Sequence, residues 1–417
     1  MNVLIKSATI VDPKSDFHNQ TLDILIEKGV IKLIAKRISN SNNYKEIKRD
    51  NLHVSQGWFD SSVSFGEPGY EERETIENGL KTAALSGFTS VAVNANANPI
   101  IDSSADISFL KGKANGTAVN LYPIGALTKS SEGIDLAELF DMKNAGAVAF
   151  YDYQKPIVNA NLMKLSLLYA GNFNGLVMSF PQDSKISGSG VMNENKTSTS
   201  LGLKGIPALA EELQISRDLF LLEYTGGKLH IPTISTAKSV DLIRKAKSSK
   251  LNVSCSVAIH NLLFTDESLS TFNTNHKVLP PLRQQSDIDA LIQGLKDGTI
   301  DMVTSDHNPI DIEHKKIEFD FAKYGTIGLE AAFGALNTCF TLKKTIELLT
   351  KGKERFGIEP TSINLGNKAD MTLFDPNETY NFTKEHIIST SKNSIFENFQ
   401  LKGKAYGIIA NNQVVLN

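Results

Sequence analysis

From Trp58 onward the chain alternates short apolar runs with longer segments in which apolar residues recur every three or four positions, and the apolar run appears eight times. A run of four to eight apolar residues bounded by turn-formers marks a strand buried on both faces, while the three-and-four spacing puts one apolar stripe on a helix. The runs are Trp58 to Phe65, Thr89 to Val93, Val119 to Gly125, Ala147 to Tyr151, Leu176 to Phe180, Lys228 to Ile234, Val253 to Ile259 and Met302 to Ser305. Helical stripes lie between them, as at Glu72 to Ser86, Leu162 to Tyr169, Ala208 to Tyr224, Thr236 to Ser248 and Asp287 to Lys296. Parallel strands need a long crossover, which helices supply. Eight such strands predict an α/β chain folded as a (β/α)8 TIM barrel.

The two ends are written differently. Val3-Leu4-Ile5, Asp23 to Ile26 and Val30 to Ile34 alternate as short antiparallel strands, and strand patterns return at Ala369 to Asp375 and Tyr406 to Val415. Residues 1–55 and 365–417 are expected to pair into one small β-sandwich domain, with residues 56–364 forming the barrel. Asp183 to Lys204, rich in Ser, Thr, Asn, Gly and Lys, is expected as an exposed loop after the fifth strand.

Composition excludes some partners. With 417 residues, 41% of them hydrophobic, and a net charge of -3, the chain can bury a large core and has no basic excess to recruit nucleic acid. Cys255 and Cys339 stand far apart and suggest small buried hydrophobes. No stretch of about 18 apolar residues occurs, so no membrane span is expected, and the location expected is cytoplasmic.

Barrels carry their working residues at the C-terminal ends of the strands. The first run ends Gly57-Trp58-Phe59-Asp60-Ser61-Ser62-Val63-Ser64-Phe65-Gly66-Glu67-Pro68-Gly69, followed by Glu74-Thr75-Ile76-Glu77-Asn78-Gly79. The eighth reads Asp301-Met302-Val303-Thr304-Ser305-Asp306-His307-Asn308-Pro309. Both resemble signatures of the dihydroorotases of the amidohydrolase superfamily, and the likeness covers nearly the entire chain. It implies an amidohydrolase-type barrel and a metal-dependent hydrolysis of a cyclic amide in pyrimidine biosynthesis. It also implies that the family's metal positions fall on Ser62, Ser64, Asp152, Ser179, Thr233 and Asp306.

In that family His-x-His on the first strand grips a metal ion, because alternate side chains share a face. Here Ser62 and Ser64 stand in those places, and Ser179 and Thr233 match the ligand histidines of the fifth and sixth strands. A hydroxyl is a feeble zinc ligand beside imidazole, so no metal cofactor is expected unless the chain is active, in which case zinc is. Gly66 replaces the arginine that pairs with an anionic substrate, Ile310 replaces a histidine, and Leu279 replaces a substrate-facing asparagine. Three positions are kept: Asp306 as the catalytic base, Asn96 as a substrate-contacting asparagine, and Asp152 as one of two neighbouring aspartates in the family's pattern.

These losses lead to the expectation of a non-catalytic, dihydroorotase-like chain. It would act as a structural or regulatory partner, for example of aspartate carbamoyltransferase or an active dihydroorotase, and assemble as a homodimer. The alternative is an active dihydroorotase or related cyclic amidohydrolase that interconverts N-carbamoyl-aspartate and dihydroorotate at an unusual metal site. His230, His260 and His307 are expected as hydrogen-bonded core histidines. Asp152, Asp306, His260 and His307 would make a workable mononuclear ligand set if the fold converged them.

Overall fold

A computed structural model describes residues 1–417. Eight parallel strands pair in chain order: Trp58–Val63, Phe88–Val93, Asn120–Gly125, Ala149–Phe150, Val177–Met178, Leu229–Ile231, Val253–Ala258 and Met302–Thr304. A parallel bridge between Val63 and His307 joins the eighth strand's end to the first and closes the barrel. Seven of the predicted apolar runs contain one of these strands whole, and the second strand begins at Phe88, one residue before its run. Alternation divides their side chains: Phe59, Ala92, Ile124, Ala149, Met178 and Met302 form one buried cluster that fills the barrel. Their neighbours Trp58, Val63, Val91, Phe150 and Val177 belong to a second, larger cluster beneath the helices.

The first helix begins at Ile76, four residues later than its stripe suggests, because Thr75 is its N-cap and accepts a hydrogen bond from Asn78 N at 3.2 Å. Glu74 is thereby left free to bind the distant Thr390, through backbone N at 3.0 Å and hydroxyl at 2.8 Å. The other stripes match helices Ala160–Gly171, Ala208–Thr225, Ala237–Ser248 and Gln285–Asp297. No helix is long and apolar enough to cross a membrane.

Strands from both chain ends meet in one sheet beside the barrel. His53–Gln56 pairs antiparallel with Met371–Asn381, which continues to Gln400–Ala410 and Gln413–Leu416, while Asn2–Ile10 carries Thr21–Glu27 and Val30–Ala35. Inward residues including Ile5, Ile24, Ile26, Val54, Met371 and Ile409 form a separate core.

The segment expected as an exposed loop after the fifth strand is largely folded. It holds helices Ser184–Ser187 and Lys196–Leu201 and the strand Met192–Asn193, which pairs in parallel with Gly205–Ile206 just beyond it. Met192 is buried against Leu269 and Phe319. Arg283, wholly buried, donates to Asn193 Oδ1 at 2.8 Å and to the Ile206 carbonyl at 2.9 Å. Its charge is balanced by Glu211, 3.7 Å away, which also accepts from Ser235 N at 2.8 Å. A polar composition therefore concealed short capped elements held down by a buried ion pair.

Candidate functional site

The C-terminal end of the barrel gathers a small polar group around Asp306. This residue follows the eighth strand in a left-handed backbone conformation, φ +46°, which side chains other than glycine's adopt at a cost. Asp60 holds the turn in place: it accepts from the Thr304 hydroxyl and from Ser305 N at 2.9 Å, tying the first strand to the eighth. Asp306 Oδ1 accepts from Ser62 Oγ at 3.0 Å and from the Tyr153 hydroxyl at 3.4 Å. Asn94 Nδ2 donates to Ser62 Oγ at 3.1 Å and to Ser64 Oγ at 3.2 Å. The two serines thus share a face, as alternation requires. Burial of the Asp306 carboxyl pushes its pKa from 3.8 up to about 7, opposed by the Ser62 hydrogen bond and assisted by the nearby charge of Asp60.

Other predicted positions lie elsewhere. Asp152 turns away from Asp306 and caps the loop after the third strand, accepting from Leu127 N at 2.9 Å, Thr128 N at 3.0 Å and the Thr128 hydroxyl. Its neighbour Tyr153 occupies the inward position, and Tyr153 is the residue that reaches Asp306. A one-residue step along an extended chain reverses the face, so the retained aspartate is structural and the altered position faces the site. The fifth strand shows the same effect. Ser179 Oγ donates to Asp218 Oδ2 at 2.6 Å on the Ala208–Thr225 helix, outside the barrel, while Phe180 joins the interior cluster with Tyr151 and Met178. The interior position there is Phe180, which corrects the placement of Ser179 among the site residues. Thr233, at the sixth strand's end, is buried with φ +54°, a strained state for a β-branched residue, and its N donates to Ser256 Oγ at 3.3 Å.

Asn96 makes no hydrogen bond to the serines or Asp306, and its Oδ1 is buried without a partner. Asn94 was not singled out from sequence, although its place at the end of a strand neighbouring Ser62 was a usable signal. At Gly66, a Cβ would come within 1.8 Å of the Tyr70 carbonyl oxygen, so the backbone there leaves no room for an arginine. Ile310 and Leu279 are both buried, and Leu279 belongs to the apolar cluster inside the barrel.

The four residues proposed as an alternative ligand set do not converge. Asp152 is engaged by Thr128, and no group of three or more His, Cys, Asp or Glu side chains is placed to share an ion. His230 is a bonded core histidine, with Nδ1 2.8 Å from Ser254 Oγ. His307 Nδ1 accepts from Gly328 N at 3.2 Å. Both ring nitrogens of His260 are buried without partners, unlike the expected bonded state. Around Asp306, then, the donors are hydroxyls, an amide and one carboxylate, a set that does not fit a zinc centre of histidines and carboxylates.

A family model described as dihydro-orotase-like matches residues 53–239. The chain is 40% identical to the dihydroorotase of Pelotomaculum thermopropionicum over 423 residues, covering 100% of this chain and 99% of that protein. It is equally similar to the dihydroorotase of Acetivibrio thermocellus, 40% over 422 residues and 99% of each. In fold it resembles the L-hydantoinase (dihydropyrimidinase) from Arthrobacter aurescens, with a TM-score of 0.85, 20% identity and coverage of 100% and 97%. Full-length identity to dihydroorotases overturns the expectation of a non-catalytic structural or regulatory chain. That expectation rested on the replaced metal-ligand and substrate-contacting positions, whereas the barrel and its terminal carboxylate are retained.

Proposed function

The chain belongs to the dihydroorotase family, and we propose that it is a cyclic amidohydrolase interconverting N-carbamoyl-aspartate and dihydroorotate, with Asp306 moving the proton. The observation that carries this reading is the state of Asp306: a buried carboxyl at the barrel mouth, bonded by Ser62 and Tyr153, with a pKa of about 7. A general base is most effective when its pKa lies near the working pH.

Ring opening joins a water oxygen to the ring amide carbonyl carbon, breaks the C–N bond, takes one proton from the water and gives one to the departing nitrogen. Ionised Asp306 takes the first proton and, once protonated, returns it to nitrogen; ring closure runs the steps backwards. Ser62, fixed by Asn94, and Tyr153 both direct their hydroxyls at Oδ1 and orient the carboxylate. Asn96 Oδ1 offers an unused acceptor for a ring N–H. In the family a metal supplies the nucleophile and polarises the carbonyl. The donors around Asp306, hydroxyls and an amide beside one carboxylate, do not fit that ion.

The test is to incubate the purified full-length chain with dihydroorotate, and separately with N-carbamoyl-aspartate, and follow both compounds by chromatography. Approach to one equilibrium from both sides is expected; no conversion in either direction overturns the proposal.

A further inference from the structure

Two irregular stretches of backbone face each other where the barrel closes. In the first strand, three steps from Asp60 to Val63 lie opposite two steps of the second strand, from Val91 to Val93, so one residue is extra. Such a bulge re-aims the side chains beside it, and bulges gather at barrel rims and active sites. After the eighth strand, Asp306 stands at φ +46°, a conformation that a residue bearing a side chain keeps only where its surroundings enforce it. The bulge delivers Ser62 and the turn delivers Asp306, the two members of the 3.0 Å hydrogen bond at the candidate site.

One carboxylate holds both. Asp60 Oδ1 accepts from Ser62 N at 3.1 Å, which pins the bulge, and from the Thr304 hydroxyl. That hydroxyl oxygen accepts in turn from Asp306 N at 3.1 Å. Asp60 Oδ2 accepts from Ser305 N at 2.9 Å, so two successive N–H groups of the turn are held, one directly and one through Thr304. Asp60 is itself wholly buried.

Resting on the proposed activity, we infer that Asp60 is a positioning residue for it: this one carboxylate fixes the proton-moving Asp306 and the serine that orients it in a single arrangement, without itself touching substrate. Misplacing a catalytic group by about 1 Å costs up to about a hundredfold in rate. Where the displaced group acts only in the transition state, the loss falls on kcat and leaves KM unchanged.

Asp60→Asn keeps the size and one acceptor oxygen but puts an NH2 where the other oxygen stood, so it releases either Ser305 N or the donors Ser62 N and Thr304. With dihydroorotate as substrate, at a temperature at which circular dichroism shows the variant folded, kcat is expected to fall by about tenfold to about a hundredfold with KM unchanged. Thr304→Val, which breaks the relay to Asp306 N, is expected to lose kcat in the same way, and Thr304→Ser, which keeps the hydroxyl, to retain it. Parental kcat in Asp60→Asn or in Thr304→Val overturns the inference, as does an equal loss in Thr304→Val and Thr304→Ser. Should Asp60→Asn fail to fold, the two threonine variants decide alone.

Crystal structures of Asp60→Asn and Thr304→Val give a readout that needs no turnover. Ser62 Oγ is expected to lie more than about 3.5 Å from Asp306 Oδ1, outside hydrogen-bond reach. An unchanged 3.0 Å contact in both overturns the inference. A parent that converts neither dihydroorotate nor N-carbamoyl-aspartate refutes the proposed activity alone, and this distance then decides the role of Asp60.

Discussion

Ser62 Oγ lies 3.0 Å from Asp306 Oδ1 across the closing seam of the barrel, and the bond stabilises the ionised carboxylate. The carboxyl is raised mainly by burial, and the serine opposes that rise. Removing it in Ser62→Ala is expected to move the titration of Asp306 above about 7, by about one pH unit for a hydrogen bond worth roughly 1.5 kcal/mol to a charged acceptor. Because the base acts ionised, the acidic limb of the rate profile shifts upward in pH by the same amount. A pH profile of turnover, or carboxyl carbon NMR of the labelled protein, checks it; an unmoved midpoint argues against the coupling.

The same carboxyl sets a pH dependence of stability. Its pKa is higher in the folded chain than the ordinary 3.8, so between about 4 and about 7 the folded state keeps a proton that the unfolded state has released. Stability contributed by this group therefore falls as pH rises through that window. The unfolding midpoint of Asp306→Asn relative to the parent should rise from pH 4 to pH 7 and level off above it, as read by urea titration at a series of pH values.

His260 has the opposite sign. Burial lowers it from 6.5 to about 3, so its neutral form favours folding above pH 6.5, and that contribution is lost as pH falls toward the folded value. His260→Leu removes the titration, and the parent should lose stability relative to this variant as pH drops from 6.5 to 4. Parallel curves over that range would show that His260 is not buried neutral.

Ser179 and Tyr153 separate outward from inward positions. Ser179→Ala removes one donor from buried Asp218, which keeps Arg217 and Gln214, so the expected cost is about 1 kcal/mol of stability with turnover unchanged. Tyr153→Phe should keep the fold and lower turnover, since its hydroxyl touches Asp306. Thermal melts and steady-state rates on both variants decide this, and a loss of turnover in Ser179→Ala would contradict the outward placement.

Gly66→Arg restores the residue type of the family pattern but is not expected to restore binding of a carboxylate. The new Cβ meets the Tyr70 carbonyl oxygen at 1.8 Å, so the turn must move. A lower melting temperature and no gain in affinity for N-carbamoyl-aspartate are the expected results.

All eight barrel strands were legible because buried parallel strands are written as unbroken apolar runs, and Asp306 was legible because its motif survives whole. Side-chain direction was harder to read. A slip of one residue sends Ser179 outward in place of Phe180, and sends Asp152 to a loop while Tyr153 faces the site. Asn94 stands at the end of the second strand, which marks it as a candidate, but its bonds to Ser62 and Ser64 join two strands and cannot be read from a linear pattern. The folded elements between Asp183 and Lys204 were hidden because their stability comes from Arg283, some 80 residues or more away in sequence, and from caps rather than from an apolar stripe of their own.

The most direct measurement is the rate of dihydroorotate ring opening at pH 7.5 by the purified chain and by Asp306→Asn prepared alongside it. Turnover by the parent is expected, with a loss of about a hundredfold or more in the variant, the usual contribution of a positioned general base. Equal rates for the two proteins, or no turnover by the parent, would contradict it.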